Sequence, residues 1–116
     1  MGMDVIGMNP TAAEGEYFRR NIWSWHTLAA FCCYVAPEET EPCTLWNTND
    51  GDGLNAVQSV KLAERLERAL TEGAVDNCLE EVRSHRDYDD ICRALKPERI
   101  AEFIEFLRKC GGFRIW

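Results

Sequence analysis

The chain has 116 residues, 46% of them hydrophobic and 28% charged, which fits one folded domain and excludes a disordered chain. Its net charge of −7 excludes nucleic-acid binding driven by counterion release. No apolar stretch nears the ~20 residues needed to cross a membrane.

At the start, Asn9-Pro10-Thr11 reads as a turn feeding a short helix, with Asn9 as cap and Pro10 in the first helical position. Gly15 interrupts, and a longer helix is expected from about Glu16. Residues 17–36 are the most apolar segment. Phe18, Ile22, Trp25, Leu28 or Ala29, and Cys32 recur at three- and four-residue steps, while Trp23, Ala30 and Tyr34 fall on other faces. A helix apolar nearly all round is expected at the centre of a fold. Pro37 ends it.

Residues 37–53 read as an acidic loop. They hold Glu38, Glu39, Glu41, Asp50 and Asp52 and no Lys or Arg, so most of the excess charge sits here. Leu45 and Trp46 are expected to anchor it to the core. Loops of this length are often functional. Residues 54–72 are the clearest helix, with Leu62, Ala63, Leu66, Ala69 and Leu70 on one stripe. Asp50 or Asp52 is expected to cap its start, and Gly73 to stop it. Residues 74–95 form one or two shorter helices with a break at Ser84–Asp87. Residues 97–110 form the last helix, led by Pro97 and Glu98 and ended by Gly111 and Gly112. Phe113–Trp116 alternates like a short strand, and Asp4–Met8 is its natural partner. The expected architecture is a mainly α single domain over 1–116, a bundle of about four to five helices with a terminal strand pair. An α+β arrangement is the alternative.

The six cysteines do not form a zinc pattern. The one close pair, Cys32-Cys33, is adjacent, and helix neighbours point about 100° apart. The opening residues show neither a basic start nor a signal-length apolar run. The expectation is therefore a cytoplasmic protein with reduced thiols acting as small hydrophobes. The run Thr48-Asn49-Asp50-Gly51-Asp52-Gly53 resembles a calcium loop only superficially. With Gly53 in the sixth position, the first is Thr48 and the twelfth is Ser59, where a bidentate Glu is required. The Gly-x-Gly has no third glycine and no lysine, so it is no nucleotide fingerprint. Neither His26 nor His85 sits in a recognisable nucleophile–base context. No cofactor, metal site or catalytic residue is assigned.

The most unusual stretch is Tyr17–His26. Two tryptophans two positions apart face different directions on a helix. Both are core only if the helix is surrounded; otherwise one lies at a surface, where Trp and Arg are typical hot spots. The candidate binding residues are Arg19, Arg20, Asn21, Trp23, Trp25 and His26, together with Asn49, Asp50 and Asp52 in the loop.

These residues carry a resemblance. Gly7-Met8-Asn9-Pro10-Thr11, Gly15-Glu16-Tyr17-Phe18-Arg19-Arg20-Asn21-Ile22-Trp23-Ser24-Trp25, Asn49–Leu54, and Phe103–Phe113 with Cys110-Gly111-Gly112 resemble the motifs of a small family of uncharacterised bacterial and phage proteins. The match covers both ends and the middle, about half the chain. Some members carry a cysteine-rich, zinc-like insert before the last helix. This chain has no such insert, so no zinc site is carried over. The resemblance implies shared architecture and supplies no reaction. It also implies that the opening segment and the Asn49–Leu54 loop matter together, with Arg19 or Arg20 expected to reach Asp50 or Asp52 and pin the loop.

Small size, localised negative charge and absent catalytic chemistry point to a non-enzymatic protein-binding or regulatory module. A phage-type inhibitor of a host system is one version. The alternative is a small-ligand or metal-ion site, with a catalytic version of it, in a pocket shared by Arg19–His26 and Asn49–Asp52. Homodimerisation through the apolar second helix stays open as a third.

Overall fold

The computed structural model describes residues 2–116. Strand β1 (Gly2–Gly7) leads through a 3-10 turn (Ala13–Gly15) to β2 (Tyr17–Asn21). Helices α1 (Ile22–Val35) and α2 (Pro37–Thr40) follow, then α3 (Ala56–Thr71), α4 (Ala74–Glu81), α5 (Tyr88–Ala94) and α6 (Pro97–Lys109), and strand β3 (Phe113–Ile115) closes the chain. The sheet is antiparallel in the order β2-β1-β3. Val5 lies opposite both Phe18 and Ile115.

The pairing of the two termini agrees with the sequence reading, but the sheet holds a third strand. Residues 17–21 are extended, so the helix expected from Glu16 begins only at Ile22. The physical reason is alternation. In β2 only Phe18 is buried, between exposed Tyr17 and Arg19, and a two-residue period suits a strand with one wet face. Phe18 occurs in the helical stripe and in the strand pattern alike, and the pairing with β1 decides between them.

Capping also differs from expectation. Asn55, not Asp50 or Asp52, caps α3: its side chain accepts from the Gln58 N–H at 2.8 Å, and the Gln58 side chain accepts from the Asn55 N–H at 2.9 Å. This reciprocal box satisfies two otherwise orphaned donors. Neither Asn9 nor Pro10 starts a helix; the 3-10 turn begins at Ala13, without a side-chain cap. Gly73 does stop α3, in the left-handed conformation at φ 77°, and residues 82–87 separate α4 from α5 as the Ser84–Asp87 break suggested.

The core is built around α6 and α1. Ile100, Phe103, Phe106 and Leu107 of α6 are fully buried, as are Leu62 and Leu66 of α3, which packs against α6. An aromatic chain runs through it: Phe18 stands 5.0 Å from Phe103, Trp25 meets Phe103 edge-on at 5.7 Å, and Trp46 lies 5.8 Å from Phe113. Such tilted pairs add stabilisation beyond area burial.

The residues after β1, the end of α6 and residues 51–54 meet in one place. Met8 N–H donates to the Gly112 carbonyl (2.7 Å), Asn9 N–H to Cys110 (3.0 Å) and Thr11 N–H to Lys109 (2.9 Å). On the other side, Gly51 N–H donates to Ile115, Ile115 N–H to Asp52 and Phe113 N–H to Leu54, at 2.8–2.9 Å. Residues 51–54 therefore cover the outer edge of β3 and satisfy its backbone. Main chains approach so closely here that a Cβ on Gly15 would stand 2.0 Å from the Lys109 oxygen, and one on Gly53 1.8 Å from the Phe113 oxygen. Glycine is required at both positions for space.

Candidate functional site

The candidate residues do not form one site. Arg19 donates from Nε to Asp4, its own register partner on β1, at 3.0 Å. Asp4 also accepts from the Tyr17 hydroxyl. That hydroxyl, with Arg19 beside it, holds the Asp4 carboxyl below its ordinary value against a smaller effect of burial. Arg20 pairs with Glu102 of α6 and lies 4.3 Å from the centre of the Phe18 ring. Neither arginine pairs with Asp50 or Asp52, so the expected pinning contact is not made. Cross-strand register and the nearness of α6 supply carboxylates closer than the loop.

The loop is held in another way. Asp52 Oδ2 accepts from the N–H groups of Thr44 and Leu45, both at 3.0 Å, and Oδ1 from its neighbour Gly53 at 2.9 Å. Burial raises the Asp52 pKa, but these three N–H groups and the Thr44 hydroxyl outweigh it and keep the carboxyl below its ordinary value. Asp52 is thus the internal staple of the 44–53 turn. Asn49 and Asp50 are exposed on its outer side. Trp46 is buried and its carbonyl accepts from Trp25 Nε1 at 2.6 Å, so Trp46 anchors the segment. Leu45, expected to share that role, is 44% exposed, because the bonds to Asp52 hold the backbone at 44–45 against the turn. The segment is not all loop, since Pro37–Thr40 is a short helix with Thr40 buried.

In the remaining stretch the two tryptophans separate. Trp25 is fully buried, whereas Trp23 is 74% exposed. Asn21 caps α1, accepting from the Ser24 N–H at 2.8 Å. The helix is not surrounded. Trp25, Leu28, Ala29 and Cys32 face the core, and the opposite row of Trp23, Thr27, Ala30 and Tyr34 opens onto a groove of about 770 Å³.

This groove runs between α1 and the α4–α5 hairpin. Phe31, Val82, Ile91 and Leu95 contribute apolar surface to it. Polar groups are distributed along it. Tyr34 donates its hydroxyl to Glu81 at 3.1 Å. His85 Nδ1 accepts from the Asp87 N–H at 3.1 Å, which leaves Nε2 as its second polar atom. His26 is half-buried, and its Nε2 is shut off from solvent without a hydrogen-bond partner. Arg93 pairs with Asp90. No residue of 37–53 lines the groove, so the expected pocket shared by the Arg19–His26 segment and the Asn49–Asp52 loop is not formed. Of the candidates, Asn21, Trp23 and His26 reach it.

The sequence reading missed Tyr34, Glu81, His85, Asp87 and Arg99 as groove residues. A signal existed for the first. Trp23, Thr27, Ala30 and Tyr34 repeat at helical spacing on the side opposite the core stripe. A chain of this size has too little mass to enclose a helix on every side. The α4–α5 residues carry no comparable signal, because their placement depends on how the hairpin folds back against α1.

Among the described residues, neither histidine hydrogen-bonds a hydroxyl or thiol, and no group of three or more His, Cys, Asp or Glu side chains converges as a metal site. No described helix is long and apolar enough to cross a membrane. All six cysteines are free thiols. Cys32, Cys43 and Cys110 are buried and Cys33 is exposed. The chain matches no family model, no curated protein and no solved structure.

Proposed function

We propose that this chain is a non-enzymatic binding module that holds a segment of a protein partner in the groove between α1 and the α4–α5 hairpin. The observation that carries the reading is Trp23, a tryptophan 74% exposed at a groove with an apolar floor. Trp is the residue most enriched among binding hot spots, and leaving so much apolar surface in water forgoes stabilisation that burial against a partner would recover. Within the acidic segment at 37–53, Asp52 staples its own turn, and no residue of the segment lines this groove.

The test is affinity capture from host cells with the wild type, Trp23→Ala, Ala30→Glu and Asp50→Ala. Ala30 is exposed, so a glutamate there fits without disturbing the core. A partner retained by the wild type and Asp50→Ala, and lost by Trp23→Ala and Ala30→Glu, supports the reading. A partner retained by all four overturns it, as does the absence of any partner.

A second reading is favoured by one atom. His26 Nε2 is enclosed beside a groove whose volume falls within the range of small-molecule sites, and it lacks a partner. A small organic ligand with a hydrogen-bonding group would satisfy it. A thermal-shift screen with metabolites tests this, since a ligand that prefers the folded state raises Tm. A flat screen removes the second reading.

A further inference from the structure

The groove is electrostatically polarised along its length. At the first turn of α1, Asn21 and Trp23 share the groove with Arg99. Arg99 belongs to that end because Glu102, one turn further along α6, is paired with Arg20 just before α1. Among the described residues, Arg99 has no carboxylate within ion-pair distance. At the last turn of α1 the charge is reversed. Glu81 is fixed there by Tyr34 and has no cation within that distance. Asp87 lies nearby at the start of α5, with His85 as its neighbour at 3.9 Å. Asp90 and Arg93, which also line the groove, pair with each other. From Asn21 to Tyr34 the groove follows about 20 Å of helix at ~1.5 Å per residue.

That span decides the occupant. A compact drug-sized molecule fits a groove of this volume but reaches only one charged end. A helix of about 13 residues matches the full length at the same rise, and its apolar face at three- and four-residue spacing matches the floor. Resting on the reading of the groove as a protein-binding site, we infer that its occupant is an amphipathic helix of the partner, acidic at the Arg99 end and basic at the Glu81 end. Its carboxylate meets Arg99, its Lys or Arg meets Glu81 and Asp87, and its apolar residues cover Trp23, Ala30 and Ile91. Complementary charges of this kind set register and partner choice.

The experiment is a selection on the full-length protein. The probe is a displayed library of helical 14-residue peptides with a constant apolar stripe and randomised charges at both ends. The expected winners are acidic at one end and basic at the other. Arg99→Glu weakens them about tenfold or more, as does Glu81→Lys, and binding falls with added salt. Changing the acidic residue of a selected peptide to Lys restores binding to Arg99→Glu. Winners without charge preference that lose binding to Trp23→Ala overturn the polarity and leave the groove reading standing. Winners indifferent to both Trp23→Ala and Ala30→Glu overturn the polarity and the groove reading together.

Discussion

Replacing Asp52 with asparagine isolates the staple that shapes the 44–53 turn. The carboxylate accepts three backbone N–H groups, two on Oδ2 at 3.0 Å and one on Oδ1 at 2.9 Å. An asparagine has one accepting oxygen. In either amide orientation, at least one N–H loses its acceptor and faces an NH₂ donor instead. A lost acceptor costs about 1–3 kcal/mol when the donor is cut off from water. Thr44 and Leu45 are exposed, so water recovers part of this, and the expected loss is about 1–2 kcal/mol. For a domain of this length that lowers Tm by about 4–8 °C.

The effect carries a pH signature. The Asp52 carboxyl titrates below its ordinary value in the folded chain, so on acidification the unfolded chain takes up this proton first. The contribution is therefore complete above about pH 4 and disappears as pH falls through the folded-state value. Chemical denaturation of wild type and Asp52→Asn at about pH 7 and about pH 2.5 tests both parts. An unchanged stability at neutral pH, or a deficit that persists undiminished in acid, refutes the staple.

Trp25→Phe removes the donor to the Trp46 carbonyl and part of a fully buried ring, and is expected to cost about 2–3 kcal/mol. Trp23→Ala changes urea stability by less than about 0.5 kcal/mol, which separates the two tryptophans as core and surface. Gly15→Ala forces a Cβ toward the Lys109 carbonyl, 2.0 Å away. Main chain stands on both sides of that contact, so a loss of about 2 kcal/mol or more is expected in the same assay. In maleimide labelling followed by mass spectrometry, Cys33 reacts in the native protein. Cys32, Cys43 and Cys110 react only on unfolding, since all three are buried. Burial, with the Asp52 charge, pushes the Cys43 thiol up to about 12.

The pairing of the tail with β1 is a tertiary contact, but periodicity and punctuation by themselves determined α3 and α6, the break within 74–95 and the extended tail. In each case the signal is local. A strong apolar stripe at helical spacing, a glycine stop, or an alternating tail is compatible with one backbone conformation. The halves of Tyr17–Val35 were not separable in this way, because Phe18 fits the helical stripe and the strand alternation equally well. Pairing with Met3 and Val5, distant in sequence, makes it a strand. The same limit applies to charge. Acidity at 37–53 is plain in the sequence, yet the partners of Asp52, Arg19 and Arg20 follow from proximity: a turn's own N–H groups, a cross-strand carboxylate and a helix that passes beside β2. The groove itself is decided by tertiary structure. The row Trp23, Thr27, Ala30 and Tyr34 marks one wall in the sequence, but the other wall is a hairpin about 40 residues later, and no local pattern shows that it folds back beside α1.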